Sequence, residues 1–588
     1  MLLVYIMMKV HYLIGLVIMA WIYMVISSFV WFRSIEPIKP NIGLNKKLGL
    51  KFKLPVKHDI STSGTFGELR PNHFHAGLDI KSATGRSGEP VMAAAKGFVS
   101  RIKVSAYGYG NALYITHPNG HMTVYGHLDR YMPRIQEYVM KEHYRLQKFE
   151  LDLHPTPNQF PVEASQIVAY LGNTGSSTGP HLHFEVRDAS SEKALNPLDY
   201  GIDMKDEIAP KLYSIKLYNQ SSGNSVPIFS VPVNESEDKK YSLGNDTVMV
   251  STDVAGIAMR AYDLSNKSQL GVYGIRLYAD DVLMYSFDMD ELSFDEMRYS
   301  NAHRDYQEQS LSRQIYHRLF KLPGNKLPIY KDAVNDGWIY LERNTLKRIR
   351  IEVYDHAGNT STLNFKLMQV DGMPSLLTPG SRFVSRDQRY QMEQDNLRLE
   401  IPADRLYEDI YLKYNTSAGD GTYSPIYQIH ESSTPLHKSI NLSIKPNELP
   451  DRLKRKAIIA HIGNRSITSY GGKWVNGRLE TSVNTFGRFA VMVDTTSPTI
   501  KPIKFKPRHH VSALKYKIYD NFGTDGAADE LKYNAWIDDR WVLMEYDAKS
   551  DMITHHLDGH TPKGKHTIKV QVTDDRGNSR IFAQSFIR

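Results

Sequence analysis

Apolar and polar positions along the chain follow two regimes. From Tyr12 to Phe32 it reads YLIGLVIMAWIYMVISSFVWF, without a charge. About 20 apolar residues cross a bilayer as a helix, so residues 1–33 predict a transmembrane segment or a secretory signal. A cleaved signal has a shorter apolar core that ends in small residues. Here Ser27-Ser28 is the only small pair, and bulky Phe29, Val30, Trp31 and Phe32 follow it, which favours an uncleaved anchor. Lys9 and Arg33 flank the run on both sides, so flanking charge does not set its orientation. Either reading places the remaining chain outside the cytoplasm. Residues 34–60 are rich in Pro and Lys and predict a tether.

Beyond Ile60 the dominant period is two, the signature of half-buried strands. VMAAAKGFVSRIKVS, NALYITHP and MTVYGHL are separated by Gly108, Gly110, Gly120 and Gly126. Residues 131–160 interrupt them with a helical run and a polar loop, and predict an insertion on a β scaffold within a domain spanning 61–204. From Asp206 onward the chain is β-rich and repeats itself. Tyr262–Asn266, Tyr273–Asp288 and Arg350–Asn359 match Tyr519–Gly523, Tyr533–Asp547 and Lys569–Asn578 in order. A D-x-x-x-P step precedes each set, at Asp206/Pro210 and Asp494/Pro498. Ordered self-similarity means a duplicated unit, and the D-x-x-G-N endings are turn chemistry. These blocks predict immunoglobulin-like β-sandwich modules at 205–370, with an insertion near 290–340, and at 494–588. A third β-rich module lies at 371–493. The fold class predicted is mainly β: an N-terminal transmembrane helix, a small antiparallel domain, then several sandwich modules.

Composition narrows the chemistry. The chain has 588 residues, no cysteine and a net charge of +8 from 72 basic and 64 acidic residues. Basic residues do not cluster or interleave with aromatics, which argues against a nucleic-acid partner. Without cysteine, neither a disulfide framework nor a thiolate metal site can form.

Three short stretches carry metal-type chemistry. In FHAGLDI, His75 and Asp79 offer a nitrogen and an oxygen four residues apart, with Gly77 between them. In STGPHLHFEVR, His181 and His183 alternate on a strand and share one face, so one can ligate while the other lies beside the open position. In VYGHLD, His127 ends an apolar strand. Two histidines and one carboxylate leave a fourth zinc position for water, as in catalytic rather than structural sites. Such donors also suit other divalent metals.

FHAGLDI, GEPVMAAAKGFV, YGYGNALYITHPNG, TVYGHLD and VAYLGNTGSSTGPHLHFEVR together resemble the LytM/lysostaphin-type metallopeptidases of family M23, over roughly residues 64–200. The resemblance implies one Zn2+ held by His75, Asp79 and His183, with His181 and His127 as the non-ligand catalytic pair. It implies a small antiparallel β domain and hydrolysis of an amide in peptidoglycan stem peptides, in the cell envelope. One departure is the 131–160 insertion, which separates motifs that are adjacent in the family. A second expectation is a non-hydrolytic envelope protein that regulates another wall hydrolase or acts as a scaffold through its β modules; regulators of this family typically lack the ligands that this chain keeps. Which peptide bond is cut stays open. The β modules would contact envelope proteins, and the N-terminal helix the membrane.

Overall fold

The computed structural model describes residues 51–221, 224–265, 268–372, 382–503 and 511–588. The apolar run Tyr12–Phe32 and the first part of the tether lie outside the described residues. No helix among the described residues is long and apolar enough to cross a membrane. The described chain is mainly β.

The last stretch of the expected tether is not a tether. Phe52 and Val56 are 4% and 3% exposed and belong to the core of the domain that follows. Phe52 N–H donates to Tyr200 O and Met92 N–H to Pro55 O, which ties the segment to that domain. The physical reason is alternation: the lysines of K-F-K-L-P-V face out while Phe52, Pro55 and Val56 face in.

The first domain is built on an antiparallel sheet ordered Thr62–Gly64, Leu78–Lys81, His181–Asp188, His121–Gly126, Ala112–Thr116, Gly97–Val104 and Leu151–Leu153. Register sets what meets across its centre. His183 lies opposite Asp79 on one side and Gly126 on the other. Gly77 is required by close approach, since a Cβ there would stand 2.3 Å from the Phe184 carbonyl oxygen. The 131–160 insertion folds as the helix Pro133–Leu146, which buries Ile135 and Val139 in the core. The expected polar loop after it contains the strand Leu151–Leu153, which pairs with Gly97–Val104 at the sheet edge away from Asp79. The helix meets the last module, where Tyr144 donates to Asp558 and stacks on His560 at 4.1 Å.

Downstream, the strands from Lys211 to Gln369 other than Glu291–Leu292 form one large sheet system, with the helices Ser300–His303 and Tyr306–Ser312 inserted. Residues from Arg382 to Val493 form a five-stranded sheet, a short pair and five strands of a six-stranded sheet whose sixth strand is Gly523–Thr524. The C-terminal residues form two four-stranded antiparallel sheets that enclose one core, a sandwich.

The first two domains share a core. Phe66, Leu69, Phe74 and Ala76, in the segment leading into and past His75, belong to the same buried cluster as Ile275, Phe287 and Met289 of the next module. Ala194–Leu195 pairs with Glu291–Leu292, extending the sheet across the boundary. Burying a large apolar side chain is worth about 1.5–3 kcal/mol. A fragment of residues 51–204 is therefore expected to unfold at least about 4 kcal/mol more easily than 51–372. Equal denaturation midpoints for the two fragments would show that the cores are independent.

Candidate metal centre

Four histidines and one aspartate converge at the centre of the first sheet. His75 Nε2 lies 2.9 Å from Asp79 Oδ1 and 3.0 Å from His183 Nδ1, and His183 Nδ1 lies 3.0 Å from Asp79 Oδ1. His181 Nε2 is 3.3 Å from the same Asp79 oxygen. The His127 and His181 rings lie 4.7 Å apart, and His127 and His183 5.8 Å apart. His75, Asp79, His127 and His183 are all buried. All five residues singled out in the sequence are thus brought together.

Hydrogen bonds on the far side of each ring set its orientation. His75 Nδ1 contacts Thr65 O at 2.8 Å, His127 Nδ1 contacts Thr174 O at 2.8 Å, and His181 Nδ1 contacts Gly179 O at 2.8 Å. A carbonyl only accepts, so each Nδ1 carries the proton and each Nε2 presents a lone pair to the site in the neutral ring. His183 is turned the other way: Nε2 donates to Glu185 Oε1 at 2.7 Å, and Nδ1 faces the site. The donors from His75, Asp79 and His183 lie within 4.8 Å of one another. Three acceptors in a buried triangle fit a divalent cation, and their orientation by outer partners is the arrangement seen around metal ligands.

Electrostatics agrees. Burial raises the Asp79 carboxyl, but the imidazoles of His75, His181 and His183 outweigh it and hold it well below the usual carboxylate range. Burial pulls His183 down, yet the hydrogen bonds to Asp79 and Glu185 carry it up to about 9. In the metal-free chain a proton on Nδ1 thus stands where a cation would bind. His127 is pushed down to about 3, by burial first and then by His183 and His181, so it stays neutral at ordinary pH. Its φ of 59° is left-handed, an uncommon geometry for a residue with a side chain and a frequent one at functional sites.

Several contributors were not singled out from the sequence. Glu185 is fully buried; it accepts from His183, from Arg187 Nε at 2.6 Å and from Tyr109 OH at 2.5 Å. Burial raises its carboxyl, and Arg187 and His183 bring it to about 2. Arg70 Nη2 donates to Asp79 Oδ2 at 3.0 Å, leaving Oδ1 for the site. The period of two on the strand His181–Asp188 is the signal for Glu185 and Arg187, which share the face of His181 and His183. No local spacing points to Arg70. The insertion's histidines are placed elsewhere. His143 bonds to Lys148 O and stacks on Phe149, and His154 pairs with Asp152.

A buried site with two imidazoles and a carboxylate, and two further imidazoles beside it, has the donor set of a metal-dependent hydrolase. Residues 73–144 match the model of peptidase family M23, and residues 381–494 match that of a Zu5-like domain. Lipoprotein NlpD of Yersinia enterocolitica is 32% identical over 116 residues, 20% of this chain and 93% of that protein. DD-carboxypeptidase/endopeptidase Mpg of Neisseria meningitidis serogroup B is 33% identical over 113 residues, 19% of this chain and 20% of that protein. The match thus spans about a fifth of the length of the Mpg relatives. Among solved structures, the catalytic domain of lysostaphin from Staphylococcus simulans is 25% identical, with 24% of this chain and 93% of that chain covered and a TM-score of 0.19. The chain belongs to peptidase family M23.

Two outcomes follow from the geometry. Below about 9 a cation must displace the His183 proton, so apparent zinc affinity should rise about tenfold per pH unit from about pH 7 and flatten above about 9. Competition with a chromophoric chelator measures this, and a flat profile would contradict it. Glu185→Gln keeps the shape but removes the charge beside His183 and Arg187. It should weaken zinc about tenfold or more and cost about 3 kcal/mol of stability, because buried Arg187 keeps only the more distant Glu192 as a counter-charge. Unchanged zinc affinity would remove Glu185 from the support of the site.

Proposed function

We propose that this chain is a zinc-dependent endopeptidase that hydrolyses stem-peptide cross-links of bacterial peptidoglycan. The observation that carries the reading is the orientation of the four imidazoles, each held from outside so that a nitrogen faces one buried point. His75, Asp79 and His183 would hold the ion. Zinc bound there would polarise an amide carbonyl and bring the pKa of a water toward ~7.

The remaining chemistry belongs to the chain. His127 and His181 have their Nδ1–H groups committed to Thr174 O and Gly179 O. Each therefore offers Nε2 as a proton acceptor. Negative charge developing on the carbonyl oxygen favours the protonated form of whichever ring faces it. That ring can then return the proton to the departing amine. Asp79 is kept ionised by its imidazole neighbours, and Arg70 fixes the rotation of its carboxylate.

The peptidoglycan substrate is supported by the relatives' names, DD-carboxypeptidase/endopeptidase Mpg and Murein hydrolase activator NlpD. The NlpD relatives also support a second reading, a non-hydrolytic activator. The complete donor set and the two oriented extra histidines favour hydrolysis. We place the domain outside the cytoplasm, tethered through the apolar run Tyr12–Phe32, with the β modules facing envelope partners.

Digestion of purified peptidoglycan by the chain from about residue 34 onward tests this. Uncross-linked muropeptides should be released, and a chelator should abolish release. His181→Ala should slow release by about 10²-fold or more while zinc content is unchanged, and Asp79→Ala should lose both zinc and activity. A zinc-loaded chain that binds peptidoglycan but releases nothing would favour the activator.

A further inference from the structure

The duplicated modules repeat a second, quite different cluster. Asp206, Asp263 and Asp355 bring carboxylate oxygens within 4.8 Å of one another, and so do Asp494, Asp520 and Asp574. These are the same positions of the repeat: the D-x-x-x-P step, the Y-D step and the D-x-x-G-N turn. The correspondence extends to hydrogen bonds. Asn359 donates its N–H to Asp355 Oδ1 and its Nδ2 to both Asp355 Oδ2 and Asp206 O. Asn578 does the same to Asp574 Oδ1, Asp574 Oδ2 and Asp494 O. Ile208 N–H caps Asp206 Oδ1 as Thr496 N–H caps Asp494 Oδ1.

Acidic residues gathered in a turn need no ligand when solvent or donors satisfy them. Here Asn359 and Asn578 serve both oxygens of Asp355 and Asp574, and the other members of each cluster are served less fully. Asp263, Asp355, Asp494 and Asp574 are 3–6% exposed. Asp263 Oδ1 accepts from the adjacent Leu264 N–H, and a carboxylate oxygen of Asp263 lies in the cluster. In the second cluster Oδ1 of Asp520 is buried with no partner at all. No lysine or arginine forms an ion pair with any of the six among the described residues. A buried carboxylate is retained only when paired, hydrogen-bonded or metal-bound.

We infer that each triad is a calcium site that ties a module to the segment preceding it. Three carboxylates from three separate segments, with no nitrogen or sulfur donor, are hard ligands of the kind calcium takes. Two oxygens on one calcium at about 2.4 Å can be no more than about 4.8 Å apart, and the oxygens of each triad lie within that limit. The mutual repulsion of the free cluster shows in its protonation. Asp263 is pushed up to about 8 by burial and by Asp206 and Asp355, and Asp520 to about 6 by burial and by Asp494 and Asp574.

The position gives the ion a task. Asp206 lies in the connection between the helical turn Pro197–Tyr200 of the peptidase domain and the strand Lys211–Ser221. Asp494 follows the strand Gly487–Val493 and precedes Thr499–Pro502. In both, the ion would fasten the incoming connection to the Y-D step and to the D-x-x-G-N turn of the module it enters. The inference is independent of the proposed peptidase activity.

Equilibrium dialysis of the zinc-loaded full chain against Ca2+ tests it, in the range of about 10⁻⁴–10⁻³ M typical of extracellular modules. Two calcium ions per chain should bind. Asp263→Asn should remove one, Asp520→Asn the other, and the double variant both. Calcium should raise the unfolding temperature of the parent, less for each single variant and not for the double. Without calcium the Asn variants should melt no lower than the parent, because a neutral isostere relieves the repulsion. Absence of binding at 5 mM, a stoichiometry unmoved by either variant, or an equal loss of stability with and without calcium would overturn the inference.

Discussion

Two imidazole lone pairs and a carboxylate cannot rest about 3 Å apart in a buried pocket unless something positive lies among them. That constraint organises the peptidase domain. It explains why Thr65 O and Glu185 are placed behind His75 and His183, since a free ring would flip its proton inward and dissolve the triangle. It explains why Arg70 takes the outer oxygen of Asp79, leaving Oδ1 to the cluster. It also explains the fully buried Glu185, whose charge is balanced by Arg187 and which passes that order on to His183. Each outer partner removes a rotation that would otherwise cost entropy when the site forms.

The same constraint crosses the domain boundary. His75 is carried by a segment rather than by a long strand, and that segment is held from below by the next module. Phe66, Leu69 and Phe74 share its core, and Gly67 approaches Met289 so closely that a Cβ would stand 2.5 Å from its side chain. Arg304 donates to Arg70 O and Asn301 to Asn72 Oδ1 on the same stretch. The module after the peptidase domain therefore supports one side of the site, and is more than a spacer.

What could be read from the chain divides by range. The five central residues were legible because their relations are local: four residues between His75 and Asp79, two between His181 and His183, and a strand end at His127. The repeated turns were legible because they demand Asp, Gly and Asn at fixed offsets. The strand Leu151–Leu153 was hidden inside a polar-looking loop because only three residues pair there. Phe52 and Val56 were masked by the lysines between them. Arg70 and the shared core were out of reach, because they depend on contacts between segments far apart in sequence.

The strand His181–Asp188 shows why local legibility and tertiary function coincide in this fold. Its period of two sends His181, His183, Glu185 and Arg187 to one face and Leu182, Phe184 and Val186 to the other, where all three are fully buried. The apolar row locks register, because a slip of one residue would turn every apolar side chain out of the core. The polar row inherits that precision, with His183 held opposite Asp79 and beside Gly126. Hydrophobic burial on one face thus supplies the positional accuracy that the chemistry needs on the other. A site so placed can tolerate an insertion at the far sheet edge, because nothing there bears on the register of the central strand.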